Sequence, residues 1–324
     1  MFVLGLQGSP RKKGNTHYLL SEFLSEAEKL GAKTHTIEVD KKNIVPCKEY
    51  IVCEKKGFCP IDDEMTHEIY PLLRRAEVIV AATPVFFYNA TAQLKALFDR
   101  SQTLWARKYR LNLTDPGRKV RRGFLLSVGA TKGKNLFEGL NLTVQYFFDA
   151  VGASFDGSLT YRQIEHAGDM QKHPTVREDV KEAVHNLLEP LLNRKKILFV
   201  CSDNASRSQM AGAFAQYLAG DKFDVISAGN KPSNTIDPVM VEAMHEKGID
   251  MAFRKTRQID EALSELNPDR IVTIGSREGY PMFQGITIQD WDLPDPAGKS
   301  IEVMRNVRDE IEKKVTNLID NLKH

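Results

Sequence analysis

A cysteine and an arginine six positions apart lie in the middle of the chain, where together they could bind and attack an anion. Cys201 follows the apolar run 197–200, which predicts a buried strand. Arg207 begins a segment whose apolar residues recur with the period of a helix. A helix start attracts anions through its unpaired N–H groups and its dipole, and it lowers the pKa of a nearby thiol. The loop would therefore hold an oxyanion under the Arg207 guanidinium, with the Cys201 thiolate placed for attack.

Three further features favour this chemistry over the alternative, which is a buried structural cysteine and a solvent-facing arginine. Asn204 tolerates left-handed backbone geometry and can brace the loop. Ser208 carries a hydroxyl that can hydrogen-bond the sulfur. Asp295 lies in an Asp-Pro turn that can deliver a carboxyl group. These residues together predict an enzyme site.

The same residues resemble the C-x-x-N-x-x-R-S loop of the low-molecular-weight protein tyrosine phosphatase superfamily, over roughly residues 195–324. The sequences Ser-Gln-Met-Ala at 208–211 and Trp-Asp-Leu-Pro-Asp-Pro-Ala-Gly at 291–298 are similar to its arsenate reductase branch. The resemblance implies that Cys201 is the nucleophile, Arg207 the oxyanion clamp and Asp295 the general acid. The oxyanion-binding residues that it implies are Asn204, Ser206 and Ser208.

One departure from that branch concerns its additional thiols. Thioredoxin-coupled arsenate reductases carry further cysteines after the fourth strand, about where this chain has Ser276 and Tyr280. Cys201 is the only cysteine after residue 193, so a thiol relay confined to this half is excluded. The second thiol would come from the N-terminal half, from thioredoxin or from a small cellular thiol.

The N-terminal half contains a second pattern of strand, small-residue loop and helix. Residues 2–6 predict a buried strand, and the loop 8–16 lets a phosphate approach the backbone, with Asn15 and Thr16 expected to cap the next helix. The loop lacks the Gly-Lys-Ser/Thr ending of nucleotide-hydrolysing loops and the dinucleotide-binding G-x-G-x-x-G spacing. Two more loops, 83–90 and 128–133, follow predicted strands. All three are expected at the carboxyl edge of one parallel sheet, where such sheets bind ligands.

Several motifs of this half resemble NAD(P)H-dependent FMN reductases and iron–sulfur flavoproteins, which are flavodoxin-like, over roughly residues 1–190. They are Gly-Ser-Pro-Arg with Gly-Asn-Thr at 8–16, Thr-Pro-Val at 83–85 and Phe-Asp-Arg at 98–100. The resemblance implies bound FMN and NAD(P)H as the electron donor. The FMN phosphate would bind to Ser9, Arg11, Asn15 and Thr16. The ring would lie against Pro84, Val85, Phe86, Phe87, Tyr88 and Asn89 and against Gly129, Ala130 and Thr131.

A cysteine segment follows the second predicted strand. The iron–sulfur branch uses the spacing C-x2-C-x2-C-x5-C, which Cys47, Cys53 and Cys59 match while Tyr50 occupies the second position. A four-thiolate cluster therefore lacks one ligand. Three reduced thiols without a metal are the favoured interpretation, and a cluster with a substitute ligand is the alternative. The three thiols are also the candidates for redox exchange with Cys201.

Length and composition indicate a globular protein of two domains. The chain has 324 residues, 42% of them hydrophobic and 27% charged, and alternating strand and helix patterns predict two doubly wound parallel α/β domains. We place the boundary between residues 1–193 and 194–324. The net charge of +2 argues neither for nor against nucleic-acid binding, and we expect no nucleic-acid partner. The lack of a membrane-length apolar run and the four unevenly placed cysteines predict a cytoplasmic protein without a membrane partner. A homodimer through the N-terminal half is a further expectation.

These observations predict a flavin-linked oxyanion reductase. Arsenate would be reduced to arsenite through an adduct on Cys201, with electrons from NAD(P)H by way of FMN. Two alternatives stay open. One is a phosphomonoesterase that uses the same three residues and water as the second nucleophile. The other is a redox or oxyanion sensor without turnover.

Overall fold

A computed structural model describes residues 1–275 and 285–322, and its internal contacts divide the chain into two units. The first unit comprises Met1–Asn112 and Val120–Leu192, and the second comprises Leu113–Lys119 and Asn193–His324. Each unit is built on one all-parallel sheet with alternating helices, which confirms the predicted α/β class. Ser276 and Tyr280, where thiols were considered, lie outside the described residues.

The sheet of the first unit has the strand order β2-β1-β3-β4-β5. Its strands are β1 Phe2–Gln7, β2 Lys33–Glu38, β3 Val78–Pro84, β4 Arg122–Val128 and β5 Ser154–Tyr161. Its α-helices are α1 Asn15–Lys29, α2 Val52–Lys56, α3 Tyr70–Arg75, α4 Ala92–Arg100, α5 Gln102–Tyr109, α6 Glu138–Ala150, α7 Asp169–Lys172 and α8 Val176–Leu192. The sequence predicts eight strands, at 2–6, 34–39, 78–82, 123–128, 154–159, 197–200, 223–228 and 270–275, and the five of this half agree with these bounds to within two residues.

The central strands of this unit are buried on both faces, as expected for parallel strands covered by helices on each side. β3 is inaccessible to solvent from Val78 to Ala82. Phe23 of α1 and Leu188 of α8 belong to the same core as Val80 of β3. Burial of this apolar surface holds the carboxyl ends of β1, β3 and β4 side by side.

The sheet of the second unit has the strand order β7-β6-β8-β9, with β6 and β8 at its centre. The strands are β6 Lys195–Cys201, β7 Phe223–Gly229, β8 Arg270–Ile274 and β9 Thr287–Trp291, and the α-helices are α9 Arg207–Ala219, α10 Pro238–His245, α11 Ile259–Glu265 and α12 Ile301–Leu322. Phe199, Phe214 and Ile311 share one core cluster. The helical spacing of Met210, Phe214 and Leu218 predicts one buried face of α9. Leu218 is instead 38% exposed, because the helix is enclosed mainly over its first turns.

The segment Leu113–Lys119 is counted with the second unit although it precedes β4 in the chain. The Thr114 N–H donates to the Gly248 carbonyl at 2.7 Å, and the Asp250 N–H donates to the Thr114 carbonyl at 2.8 Å. From the sequence, the basic run of Arg107, Lys108, Arg110, Arg118, Lys119, Arg121 and Arg122 predicts a solvated face or a dimer edge, with binding of the extra phosphate of NADPH as the alternative. That expectation is wrong for Arg121, which is 2% exposed and donates to the carbonyls of Ala76 and Val151.

Within the described part of the chain, no helix combines the length and the apolar character that crossing a membrane requires.

Candidate active site

The end of β6 carries the cysteine loop of the second unit. Cys201 is fully buried, and residues 202–206 lead from it into α9. The carbonyls of Cys201, Ser202, Asp203 and Ala205 accept hydrogen bonds from backbone N–H groups between residues 230 and 237. A carbonyl and the next N–H of a trans peptide point in opposite directions. The following N–H groups of the loop therefore face away from that segment, and the Asn204 N–H lies 3.3 Å from the Cys201 Sγ. Such a concave set of N–H groups suits an anion.

Asn204 braces this loop from its centre. It is fully buried with φ 51°, which confirms the predicted left-handed geometry. Its Oδ1 accepts from the backbone N–H of Arg257 at 3.0 Å and from Nε2 of Gln209 at 3.2 Å, and its Nδ2 donates to Ser208 Oγ at 2.8 Å. Ser208 Oγ lies 3.0 Å from Cys201 Sγ, so the predicted hydroxyl–sulfur contact is also confirmed.

Arg207 and Asp295 meet beside the loop. Arg207 is 5% exposed, and its Nη2 lies 2.5 Å from Asp295 Oδ2. The Nη1 donates to the Leu293 carbonyl at 3.3 Å. Gly275 has φ 85°, and a Cβ there would lie 2.5 Å from the guanidinium, so this position requires glycine. The structure thus brings the three predicted catalytic residues together, although Arg207 and Asp295 come from distant parts of the sequence.

Two polar atoms of this site have no internal partner among the described residues. They are the Oγ of Ser206 and the Nε of Arg207, and both atoms are buried. A buried donor without a partner is costly unless a ligand satisfies it. Together with the loop N–H groups, these donors fit a bound oxyanion.

The thiol of Cys201 differs from the low-pKa thiolate expected at a helix start. Burial, and after it the nearby Asp203 carboxylate, raise its pKa to about 11. The hydrogen bonds from Ser208 and the charge of Arg207 act in the opposite direction but are weaker. The physical reason is that Arg207 is already paired with Asp295, while the sulfur is removed from water. The sulfur donates to Asp203 Oδ1 at 3.4 Å, and sequence reasoning had given Asp203 no role.

The three loops chosen in the first unit lie next to one another, as predicted. The Gly8 N–H donates to the Ala82 carbonyl at 2.8 Å, and Thr91 Oγ1 donates to the Gly8 carbonyl at 2.6 Å. The Val85 N–H donates to the Val128 carbonyl at 2.9 Å. Because β1, β3 and β4 are neighbours, their loops form one continuous edge of the sheet.

The loop 8–16 keeps most of its polar groups accessible. Ser9 is buried and its Oγ accepts from the Arg11 N–H, while the side chain of Arg11 is exposed. The predicted capping by Asn15 and Thr16 is wrong, since Gly14 precedes the helix without a side-chain cap. Asn15 instead bonds the carbonyl of His166 and the N–H of Met170.

A neighbouring residue supports ligand binding at this edge. Gln7, at the end of β1, is 2% exposed, and neither polar atom of its amide has a partner in the described structure. The orphaned amide, the free N–H groups at the start of α1 and the accessible cation of Arg11 are the donors that the phosphate of FMN requires. The residues therefore fit this cofactor.

A turn of aromatic residues stands at the same edge. Phe86 and Asn89 exchange backbone hydrogen bonds of 2.9 and 3.0 Å, and Phe87 and Tyr88 between them have φ of 48° and 61°. Bulky residues in this conformation are strained by roughly 1–2 kcal/mol each, and such strain often marks functional sites. Phe87 is fully exposed, so an aromatic face is available for a planar ligand. The exposed residues Ala130 and Thr131 lie in the neighbouring loop that follows β4.

The cysteine segment is tied down at both ends. Arg100 Nη1 lies 2.5 Å from Asp63 Oδ2, with both side chains buried, and it also donates to the Val45 carbonyl at 2.7 Å. Between these ends Cys47 is exposed and Cys53 and Cys59 are partly buried. Burial raises the pKa of Cys53, and its neighbours Cys59 and Cys47 raise it further. The three thiols therefore share one loop.

An iron–sulfur cluster does not fit this loop. Tyr50, at the position of the missing ligand, is 55% exposed. In the ranges 1–275 and 285–322, no three His, Cys, Asp or Glu side chains are grouped so that they could hold a metal ion. We therefore derive no step through a cluster.

Comparison with known proteins separates the chain in the same way. Residues 1–130 match the family model described as NADPH-dependent FMN reductase, and residues 196–324 match the model described as low molecular weight phosphotyrosine protein phosphatase. The first part is similar to the iron–sulfur flavoprotein of Methanosarcina thermophila, with 33% identity over 180 residues, which is 56% of this chain and 87% of that protein.

Two arsenate reductases are similar to the second part. The glutaredoxin arsenate reductase of Synechocystis sp. is 37% identical over 128 residues, which is 39% of this chain and 96% of that protein. Arsenate reductase 2 of Staphylococcus saprophyticus is 34% identical over 133 residues, which is 40% of this chain and 100% of that protein. Each relative is thus spanned almost completely by one part of the chain.

Proposed function

We propose that this oxidoreductase uses NADPH to reduce arsenate to arsenite. The chain belongs to the NADPH-dependent FMN reductase family through its first part and to the arsenate reductases of the low-molecular-weight phosphatase family through its second. The observation that carries the proposal is the loop of Cys201, Asn204 and Arg207 with Asp295 beside it. Arsenate reduction consumes two electrons, and a flavin site on the same chain could deliver them. This gives a reason why the two parts are joined in one chain.

The first step is nucleophilic. Arsenate binds to the loop N–H groups and to Arg207, whose planar guanidinium holds two oxygens. The sulfur of Cys201 forms a bond to arsenic while one arsenic–oxygen bond breaks. Asp295 takes up a proton when its ion pair with Arg207 opens and gives it to the leaving oxygen, which departs as water, while the proton of the Cys201 thiol is released as the sulfur attacks. Its ion pair with Arg207 must open for this, because the incoming anion competes for the same guanidinium.

The second step needs another thiol. Attack of a thiolate on the sulfur of the Cys201–arsenic adduct forms a disulfide and releases arsenite, so arsenic gains the two electrons that the sulfurs lose. Cys47, Cys53 and Cys59 are the candidates within the chain. Replacing all three with serine should then make turnover depend on added glutathione or thioredoxin. Unchanged turnover of the triple variant without added thiol would contradict this role.

The first unit would hold FMN at the edge formed by the loops 8–16, 83–90 and 128–133. When bound there, FMN would supply the redox chemistry, which is acceptance of hydride from a nicotinamide cofactor and onward transfer of electrons. Ser9, Arg11 and Thr16 would bind the phosphate with the N–H groups of the first turn of α1. Phe87 would cover one face of the ring.

Hydrolysis of phosphate monoesters is the second candidate, because the matched family model is that of phosphatases and the same residues serve both reactions. The test is to give the purified full-length protein arsenate and a chromogenic phosphate ester in parallel. We expect arsenite from the first at a rate that exceeds ester hydrolysis. Fast ester hydrolysis with no arsenite formed in the presence of NADPH, FMN and a thiol would overturn the proposal.

A further inference from the structure

The three thiols of the cysteine segment share one loop that is fixed at its ends and loosely packed between them. Arg100 holds both ends, since its guanidinium donates to the Val45 carbonyl and pairs with Asp63. The helix α2 between the ends has no buried residue, and Arg107 of α5 donates to the Gly57 carbonyl that follows it, at 2.8 Å. A segment with so little apolar burial can change its shape at small cost.

The backbone of this loop is strained just before α2. Glu49 and Ile51 have φ of 54° and 61°, in the left-handed region that disfavours residues with a side chain. Ile51 is branched at Cβ, which makes this conformation rarer still. Tyr50 and Ile51 are each more than half exposed, so packing of their side chains does not hold the strained backbone in place. The stretch between Cys47 and Cys53 is therefore free to relax into another conformation when a ligand binds.

The three thiols are near one another and accessible. The thiols of Cys59 and Cys47 both act electrostatically on that of Cys53, and Cys59 acts more strongly. Cys47 is exposed and the other two are partly buried, so a small ligand can reach them from solvent. Over residues 1–275 and 285–322, no three side chains of the metal-binding types are gathered tightly enough for a metal ion. A ligand must therefore draw the sulfurs together, which the loosely packed loop permits.

The number of thiols selects the kind of ligand. An iron–sulfur cluster takes four thiolates and a structural zinc ion takes four ligands, whereas this loop has three cysteines and the exposed Tyr50. Trivalent arsenic is a soft centre that forms three bonds, and thiolates are the ligands that soft centres prefer. Three thiols therefore satisfy it completely. Arsenite is also the product that the second unit would form.

We propose that Cys47, Cys53 and Cys59 together form a binding site for trivalent arsenic. Arsenous acid condenses with the three thiols, so that three arsenic–oxygen bonds break, three arsenic–sulfur bonds form, and each thiol proton leaves with a hydroxyl group as water. Arsenic stays trivalent, and the step needs no oxidant or reductant. The inference rests on the proposed function for the source of the arsenite but not for its binding. Occupied thiols cannot attack the Cys201 adduct, so accumulated arsenite would slow the proposed second step.

The full-length Cys201→Ser protein tests the site, because the loop then carries all the thiols of the chain. This parent protein is reduced with a phosphine, which leaves no competing small thiol, and is titrated with sodium arsenite without arsenate or NADPH. Native mass spectrometry should show a gain of one arsenic atom less three hydrogens. Brief labelling with N-ethylmaleimide should then find none of the three thiols free. Phenylarsine oxide, whose phenyl group occupies one bond of arsenic, should leave one thiol free.

Serine substitutions count the thiols that bind. Replacing Cys47, Cys53 or Cys59 singly should weaken arsenite binding by about 10²-fold or more, because the lost bond was made within the same molecule. Arsenic bound to such a variant should keep one hydroxyl group, which the mass reveals. Tyr50→Ser changes an exposed side chain of the same loop without removing a thiol, so it is the matched control and should bind arsenite like the parent. Parent protein unfolded in urea should bind more weakly, because the ends of the loop are no longer held.

The proposal is overturned if arsenite leaves the three thiols free to react or if any single cysteine variant binds it as tightly as the parent. Equal affinity of the folded and the urea-unfolded parent would also overturn it, since the fold would then contribute nothing to the site. If arsenite binds as expected while the unsubstituted protein does not reduce arsenate, the site stands and the proposed function fails. Reduction of arsenate without binding of arsenite would have the opposite meaning.

Discussion

Two loops of this molecule share the design of strand, anion-binding loop and helix, and they differ in how they are held. The loop after Cys201 is closed by the side chains of Asn204 and Ser208 and by backbone bonds to residues 230–237. The loop 8–16 is anchored at its ends by the bonds of Gly8 and Asn15, while residues 10–13 between them are exposed and the Arg11 N–H donates to Ser9 Oγ. A loop that performs chemistry must hold its groups in place before the ligand arrives, whereas a loop that only binds can complete its shape with the ligand.

The largest expected effect separates the two loops completely. Cys201→Ser should lower arsenate turnover by about 10⁴-fold or more, because the nucleophile is lost. The absorbance of bound FMN and the reduction of FMN by NADPH should stay as in the parent protein, since the first unit is untouched. Measurable arsenate turnover in this variant would show that another residue makes the adduct.

A smaller effect is expected at the proton donor. Asp295→Asn should slow the first chemical step by about 10²–10⁴-fold in single-turnover measurements. Affinity for phosphate should rise, because the variant no longer occupies Arg207 with a carboxylate. Asp292→Asn, which changes an exposed aspartate of the same segment, is the control and should leave both quantities unchanged. An unchanged single-turnover rate in Asp295→Asn would remove Asp295 from this role.

Substitutions in the loop 8–16 should change the affinity for FMN rather than the rate of a chemical step. Arg11→Ala should weaken FMN binding by roughly 10–100-fold, which corresponds to the loss of about 1.5–3 kcal/mol from a charged hydrogen bond. Lys12→Ala removes the same charge from the adjacent exposed position and should have little effect. Fluorescence titration of the apoprotein with FMN measures both. Equal losses in the two variants would indicate general electrostatic attraction instead of a specific contact.

The smallest expected effect is on the stability that the hydrogen bonds of Asn204 give to the second unit. Asn204→Gly keeps the left-handed backbone but removes the bonds to Ser208, Gln209 and Arg257, and it should destabilise the second unit by about 1–3 kcal/mol. Asn112 also has positive φ, at 53°, but is exposed, so Asn112→Gly is the matched control and should change stability little. Denaturant unfolding followed by tryptophan fluorescence reports on both units, through Trp105 in the first and Trp291 in the second. Equal stabilities of the two variants would contradict the bracing role of Asn204.

Patterns that are local in the sequence predicted the molecule best. Apolar runs placed eight of the nine described strands, and the Cys-Ser-Asp-Asn loop indicated the left-handed Asn204 and the contact of Ser208 with sulfur. The edge strand β9 was not located, because only Trp291 in it is buried and its pattern is weak. Its neighbour on the sheet, β8, was predicted because Ile271, Val272 and Ile274 are apolar, and residues 271–274 are all buried.

Properties that depend on the folded surroundings could not be predicted. The raised pKa of Cys201 follows from its complete burial and from Asp203, neither of which a motif reports. The pairing of Arg207 with Asp295 joins residues 88 positions apart. Asn15 looked like a helix cap but bonds to His166 and Met170, because the fold brings that distant segment next to α1.

The central claim is that electrons pass from NADPH to arsenate within one chain. The most direct measurement is arsenite produced per NADPH consumed by the full-length, FMN-loaded protein, without any added thiol and under anaerobic conditions. The account predicts one arsenite for each NADPH through many turnovers. NADPH consumption without arsenite, or arsenite formation only after glutathione or thioredoxin is added, would contradict it.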